Sequence, residues 1–158
     1  MEISGIGAQR LHLAWVSSAE AGRFTEVVTN VTESVRAQGK FDPQAFALEL
    51  EAAEIAMSRE FLRWMVGKET SIIKKGDVYG RLWDAEKFES ALDSVLEREY
   101  HKCLILCAIK QGSTSVRAIS ERTGINLGRI SYLLADMEKT SMVTFKGMEN
   151  KIPVFAAL

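Results

Sequence analysis

Cys103 and Cys107 stand four residues apart, so on a helix both thiols face one side and could give two thiolate ligands to a single metal. Two further ligands are missing nearby: His101 is adjacent in sequence but points elsewhere around the helix, and His12 lies in another segment. The pair therefore reads as two small apolar core residues. Nucleophilic catalysis wants a serine or cysteine beside a base. With only two histidines in the sequence, and His12 reading as a packed or surface residue, the options are thin. Gly5-Ile6-Gly7 precedes an expected strand instead of following one, and it lacks the third glycine of a phosphate-binding loop. Glu49, Glu51 and Glu54 read as the solvated face of a helix. No catalytic, cofactor-binding or metal-ligating residue is assigned.

The elements around these residues point instead to assembly. A chain of 158 residues, 47% hydrophobic, makes one medium domain or two small ones. Two prolines, two cysteines and no apolar run of about 18 residues exclude collagen-like, disulfide-scaffold and transmembrane classes. The opening MEISGIGAQR lacks the basic stretch and apolar run of a secretory signal, so a cytoplasmic protein without a membrane anchor is expected. Residues 1–99 carry 12 Lys/Arg against 17 Asp/Glu, which is −5, whereas 100–158 carry 8 against 4, which is +4. The C-terminal part permits nucleic acid, but it is less basic than a dedicated binder.

In Leu11–Gly39 a period of two over Leu11, Leu13 and Trp15 predicts a short strand. Ser17 or Ser18 then caps a helix with Glu20 in its first turn. Phe24, Val27, Val28, Val31 and Val35 form its apolar face, and Gly39 ends it. A lone strand leaves its edges unpaired, so this unit implies a partner sheet. Asp42-Pro43 opens a second helix expected over 43–66. Its main stripe is Phe46, Leu50, Ala53, Met57, Phe61 and Trp64, beside Leu48, Ile55 and Leu62. This is core or helix-packing material, with docking onto another subunit as the sharper reading. Residues 67–83 predict a loop with a short strand at 71–73. Asp84 caps a helix bearing Phe88, Leu92, Val95 and Leu96, with a bend expected near Glu99.

The last third follows a fuller pattern. A helix bearing Leu104, Ile105 and Ala108 is followed by Ser115 capping VRAISERTG. Asn126 then caps LGRISYLLADMEKT with Ile130, Leu133, Leu134 and Met137 inward, and strands 142–145 and 152–155 close the chain. That order is a winged helix-turn-helix. The expected fold is mainly α with small β. It divides into a strand-helix docking segment at 1–39, a helical linker region at 40–98 and a winged helix-turn-helix domain at 99–158. For DNA, such a domain would use Arg117, Asn126, Arg129, Lys146 and Lys151. Because phosphate contacts dominate affinity and few are present, protein-protein packing ranks ahead of DNA binding.

GIGAQRLHLAWVSSAEAGRFTEVVTNVTESVRAQG, residues 5–39, resembles the C-terminal end of the delta subunit of methyl-viologen-reducing hydrogenase. The matching features are the Gly-Ile opening, Arg10-Leu11, Trp15 leading into Ser17, Glu20 and Phe24. Residues 40–158 are similar, more loosely, to an extension in longer members of that family. There a Val-Tyr-Gly element like Val78-Tyr79-Gly80 precedes a winged helix. The resemblance implies an electron-transfer complex of the heterodisulfide-reductase type, including its flavin-based electron-bifurcating forms. In that family a flavodoxin-like domain holding a [2Fe–2S] cluster through cysteine thiolates precedes the matching segment, and a glycine usually stands where Ala21 is. With no cysteine before Cys103, the cluster-binding role passes to no residue of this chain. What carries over is docking: a non-catalytic subunit of a hetero-oligomer, with Trp15, Ser17, Glu20 and Phe24 at the contact. FAD and iron-sulfur clusters then belong to its flavoprotein and iron-sulfur partners. The alternative is a winged-helix transcriptional regulator.

Overall fold

The computed structural model describes residues 3–7 and 10–158. It is mainly helical, with a two-stranded antiparallel sheet at the C-terminal end, and it divides into compact units of residues 1–50 and 51–158.

In the first unit, residues 11–17 are neither helix nor strand and pair with no strand among the described residues. The expected strand is therefore absent, since one edge with no neighbour has nothing to bond to. Helix α1 spans Ala21–Gln38. Neither Ser17 nor Ser18 caps it: Glu20 is the N-cap and makes no side-chain cap bond. Instead, the Ser17 N–H donates to Glu20 Oε2 at 2.9 Å and the Glu20 N–H to the Ser17 carbonyl at 3.0 Å, closing a tight turn. Gly39, at φ 69, ends the helix with its N–H on the Arg36 carbonyl, a backbone conformation that glycine adopts without a Cβ clash.

The helix expected over 43–66 is two helices, α2 (Ala47–Ser58) and α3 (Glu60–Lys75), broken at Arg59, whose ψ of 135 is extended. The break lets the Arg59 side chain approach Glu99 at 3.4 Å and the Met142 sulfur at 3.4 Å. Leu48, Ala52, Ala56 and Leu62 are buried, whereas Leu50, Met57, Phe61 and Trp64 of the expected stripe are exposed. The 71–73 segment is the last turn of α3 instead of a strand. Its two isoleucines stay helical until Gly76, at φ 94, terminates the helix on the Ile72 carbonyl.

Asp84 caps α4 (Ala85–Lys110), its side chain accepting the Lys87 N–H at 2.6 Å. The helix runs unbroken through Glu99. Its second half is the core of the larger unit: Cys103, Ile105, Cys107 and Ala108 are wholly buried. Helices α5 (Val116–Thr123) and α6 (Leu127–Lys139) take their caps from Ser115 and Asn126, and Gly124 ends α5 in the left-handed region. Ile119, Ile130, Leu133, Leu134 and Met137 face inward.

Strands β1 (Val143–Glu149) and β2 (Ile152–Ala157) are longer than expected. A bulge at Lys146–Gly147 shifts the register, and both residues of the turn, Asn150 and Lys151, have positive φ. That is the twist a two-residue hairpin requires. Ser115 bridges to Val154, and the Phe155 N–H donates to the Thr114 carbonyl at 2.9 Å. Helix α4, the bridging residue Ser115, helices α5 and α6 and the hairpin follow one another in the element order expected of a winged helix-turn-helix.

Burial pushes both cysteine thiols up to about 11, leaving little thiolate at neutral pH. Native chain should therefore react slowly with an aromatic disulfide reagent at mildly alkaline pH, and both thiols should react rapidly once the chain is unfolded. Rapid release of two thiolate equivalents from the folded chain would contradict this burial.

Candidate functional site

In the first unit the sequence-predicted contact residues fall into two kinds. Ser17 and Glu20 meet in the turn described above, with the Ser17 Oγ accepting the Ala19 N–H at 3.4 Å and Glu20 lying 3.6 Å from Arg23. Trp15 and Phe24 stand in solvent. Leu13 is 83% exposed and Trp15 82%, and no residue of α1 is buried. Val27 and Val31 are half-buried, whereas Val28 and Val35 are exposed. The apolar face read from the sequence therefore remains largely uncovered.

In the same unit Ile6, Val35, Phe41 and Leu50 line a cleft of about 640 Å³ together with Arg10, Arg36 and Lys40. The Arg10 guanidinium lies 5.2 Å from the Phe41 ring centre and donates to the Gln38 and Gly39 carbonyls at 3.2 and 3.5 Å. It thus neutralises the negative end of α1. The lining residues offer no carboxylate, imidazole or thiol for catalysis.

In the second unit the candidate nucleic-acid residues are dispersed in role. Arg117 pairs with Glu121 at 3.1 Å, and Asn126 uses its Oδ1 on the Gly128 N–H at 2.9 Å. Arg129 is half-buried, and Lys146 and Lys151 are exposed. Leu127, Tyr132, Phe145, Met148 and Ile152 are exposed apolar side chains on α6 and the hairpin. The exposed surface of α6 and the wing thus holds more large apolar side chains than free cations.

A charge cluster not foreseen from the sequence lies behind α6. Lys102 Nζ is 3.0 Å from Glu99 Oε1 and 2.6 Å from Asp136 Oδ2, and the Arg59 and Arg98 Nε atoms lie 3.4 and 3.6 Å from the Glu99 carboxylate. Glu99 and Lys102 are buried. The hydrogen bond from Lys102, and then its charge, hold the Asp136 carboxyl below the usual range. The sequence did carry a signal, since Glu99 and Lys102 fall on the same helical face as Cys103 and Leu106.

His101 Nδ1 lies 3.9 Å from Glu97. Burial lowers its pKa, opposed by Glu97 and assisted by Arg129, so the imidazole is neutral at physiological pH. Among the described residues, no group of three or more His, Cys, Asp or Glu is placed to hold a metal ion.

No family model, curated protein or solved structure matches this chain. Exposed apolar side chains gather at Leu11, Leu13 and Trp15 in the first unit and on α6 and the hairpin in the second. No described helix is long and apolar enough to cross a membrane.

Proposed function

We propose that this chain is a non-catalytic docking subunit of a cytoplasmic electron-transfer complex of the heterodisulfide-reductase type. Its partners are the flavoprotein and iron-sulfur subunits of that complex, which carry the FAD and the clusters. The reading is carried by one observation: a stretch that is neither helix nor strand presents Leu11, Leu13 and Trp15 to solvent and leads into a helix with no buried residue. A soluble chain leaves such a strip uncovered when another chain covers it. The choice of partner rests on the resemblance of residues 5–39 to the hydrogenase delta subunit.

The winged helix-turn-helix acts here as a protein-binding module. Support comes from the exposed Leu127, Tyr132, Phe145, Met148 and Ile152, and from the use of Asn126 as the cap of α6. Purification of the chain from its native host should bring down a yellow, flavin-absorbing subunit and an iron-sulfur protein in constant ratio. A single free species would overturn the reading. Salt-dependent shifting of genomic fragments, weakened by Arg129→Ala, would favour the transcriptional alternative.

A further inference from the structure

Helices α2 and α3 are parted at Arg59, and the usual agents of such a break are missing. No proline or glycine lies within residues 57–60, and Arg59, the N-cap of α3, makes no side-chain cap bond. Its φ of −69 and ψ of 135 end one helical ladder and start another, so the first N–H groups of α3 have no helical carbonyl behind them. A single residue thus separates the chain from one helix over Ala47–Lys75. Such a helix would be about 43 Å long, close to the roughly 39 Å of the 26-residue α4. Glu51 meets Gln111 at 3.2 Å and Arg59 meets Glu99 at 3.4 Å, so the chain runs antiparallel to α4 up to the break. A straight helix can therefore follow α4 along its length.

What holds the break is a side chain that can be released. Arg59 Nε faces Glu99 Oε2, and Arg59 Nη1 lies 3.4 Å from the sulfur of Met142, the residue before β1. Glu99 keeps Lys102 at 3.0 Å and Arg98 at 3.6 Å, so its buried carboxylate stays compensated when Arg59 leaves. The Arg59 side chain is 31% exposed and can be hydrated. Its Nε is buried and makes no hydrogen bond to any described residue, a deficit that release would remove. The broken form is favoured by the burial of Ala52, Ala56 and Leu62 and by Glu60 at the positive end of α3. The straight form is favoured by the backbone bonds it would restore across residues 59–62.

We infer that Arg59 is a latch on a two-state helix. While it holds Glu99 and Met142 the chain is broken between α2 and α3, and when it lets go residues 47–75 join as one helix. Because Met142 directly precedes β1, the joint and the base of the hairpin are coupled through this one side chain, and a displacement of either biases the other. The latch does not depend on the docking reading.

A distance tests it. Spin labels on Ala47→Cys and Thr70→Cys, both at exposed positions, would stand about 35 Å apart along one continuous helix before the label arms are added. Cys103 and Cys107 are buried and stay unlabelled. Double electron–electron resonance of the otherwise wild-type chain should give a shorter main distance. Arg59→Gln removes the charge at nearly equal helix propensity, and should raise the ratio of straight to broken chain about fivefold or more. Glu99→Gln weakens the latch from the other side and should act in the same direction. Adding Glu60→Pro should abolish the long distance, since proline fits the first turn of α3 and the extended residue before it but not the interior of a continuous helix. Identical distances in wild type, Arg59→Gln and Glu99→Gln would overturn the latch, and so would a long distance that survives Glu60→Pro. Should Arg59→Gln fail to fold, Glu99→Gln alone decides.

Discussion

Glu99→Ala should destabilise the larger unit by about 3 kcal/mol and lower its melting temperature by roughly 10 °C. The Glu99 side chain is 5% exposed and faces Lys102, Arg59 and Arg98 within 3.0 to 3.6 Å. Removing it leaves Lys102, itself 7% exposed, with Asp136 alone. The cost lies mostly in leaving the buried ammonium with one carboxylate in place of two, and the Arg59 and Arg98 guanidiniums without theirs. Glu99→Gln keeps a polar acceptor and should lose less. Lys102→Met in the Glu99→Leu background should recover part of the loss, because the buried pair is then replaced as a whole. Chemical denaturation of the three variants decides the matter, and wild-type stability in Glu99→Ala would refute the burial. Acid should act on the same cluster. The folded Asp136 carboxyl is held below its ordinary value by Lys102, so its contribution is complete above the ordinary carboxylate range. That contribution is lost as pH falls through the lowered value.

The order of helices and hairpin in the last third was legible because its signals are local. Ser115, Gly124 and Asn126 punctuate the helices, and the inward residues of α6 follow a helical period that one neighbour suffices to bury. The misread segments depend on distant groups. The break at Arg59 accompanies a carboxylate forty residues away, which no local pattern reveals. The 71–73 segment, β-branched at Ile72 and Ile73, reads as strand until the absence of an adjacent strand leaves helix as the way to satisfy its backbone. Leu11, Leu13 and Trp15 show the same limit from the other side. Their period of two is real, but pairing requires a second edge, and none among the described residues supplies it. Trp15, Ser17, Glu20 and Phe24 were singled out by the resemblance of residues 5–39; how far Trp15 and Phe24 stand in solvent emerged from the fold.

Leu13→Ser with Trp15→Ser should therefore separate binding from folding. Both side chains are more than four-fifths exposed, so their loss removes almost no buried area from the free chain, and its stability should change by less than about 0.5 kcal/mol. In the complex each would move from water into a partner surface. A tryptophan anchor commonly contributes about 2 kcal/mol or more, roughly 30-fold in Kd, so the double variant should bind its co-eluting subunit about 100-fold more weakly. Phe24→Ala, one helical turn along α1, should act in the same direction with a smaller loss. Glu26→Ala, exposed on the same helix, should leave affinity unchanged. Competition between labelled wild-type and variant chains for the purified partner measures all four at once. Equal affinity for wild type and the double variant would mean that the partner does not cover this strip, and the uncovered face of α1 would then need another explanation.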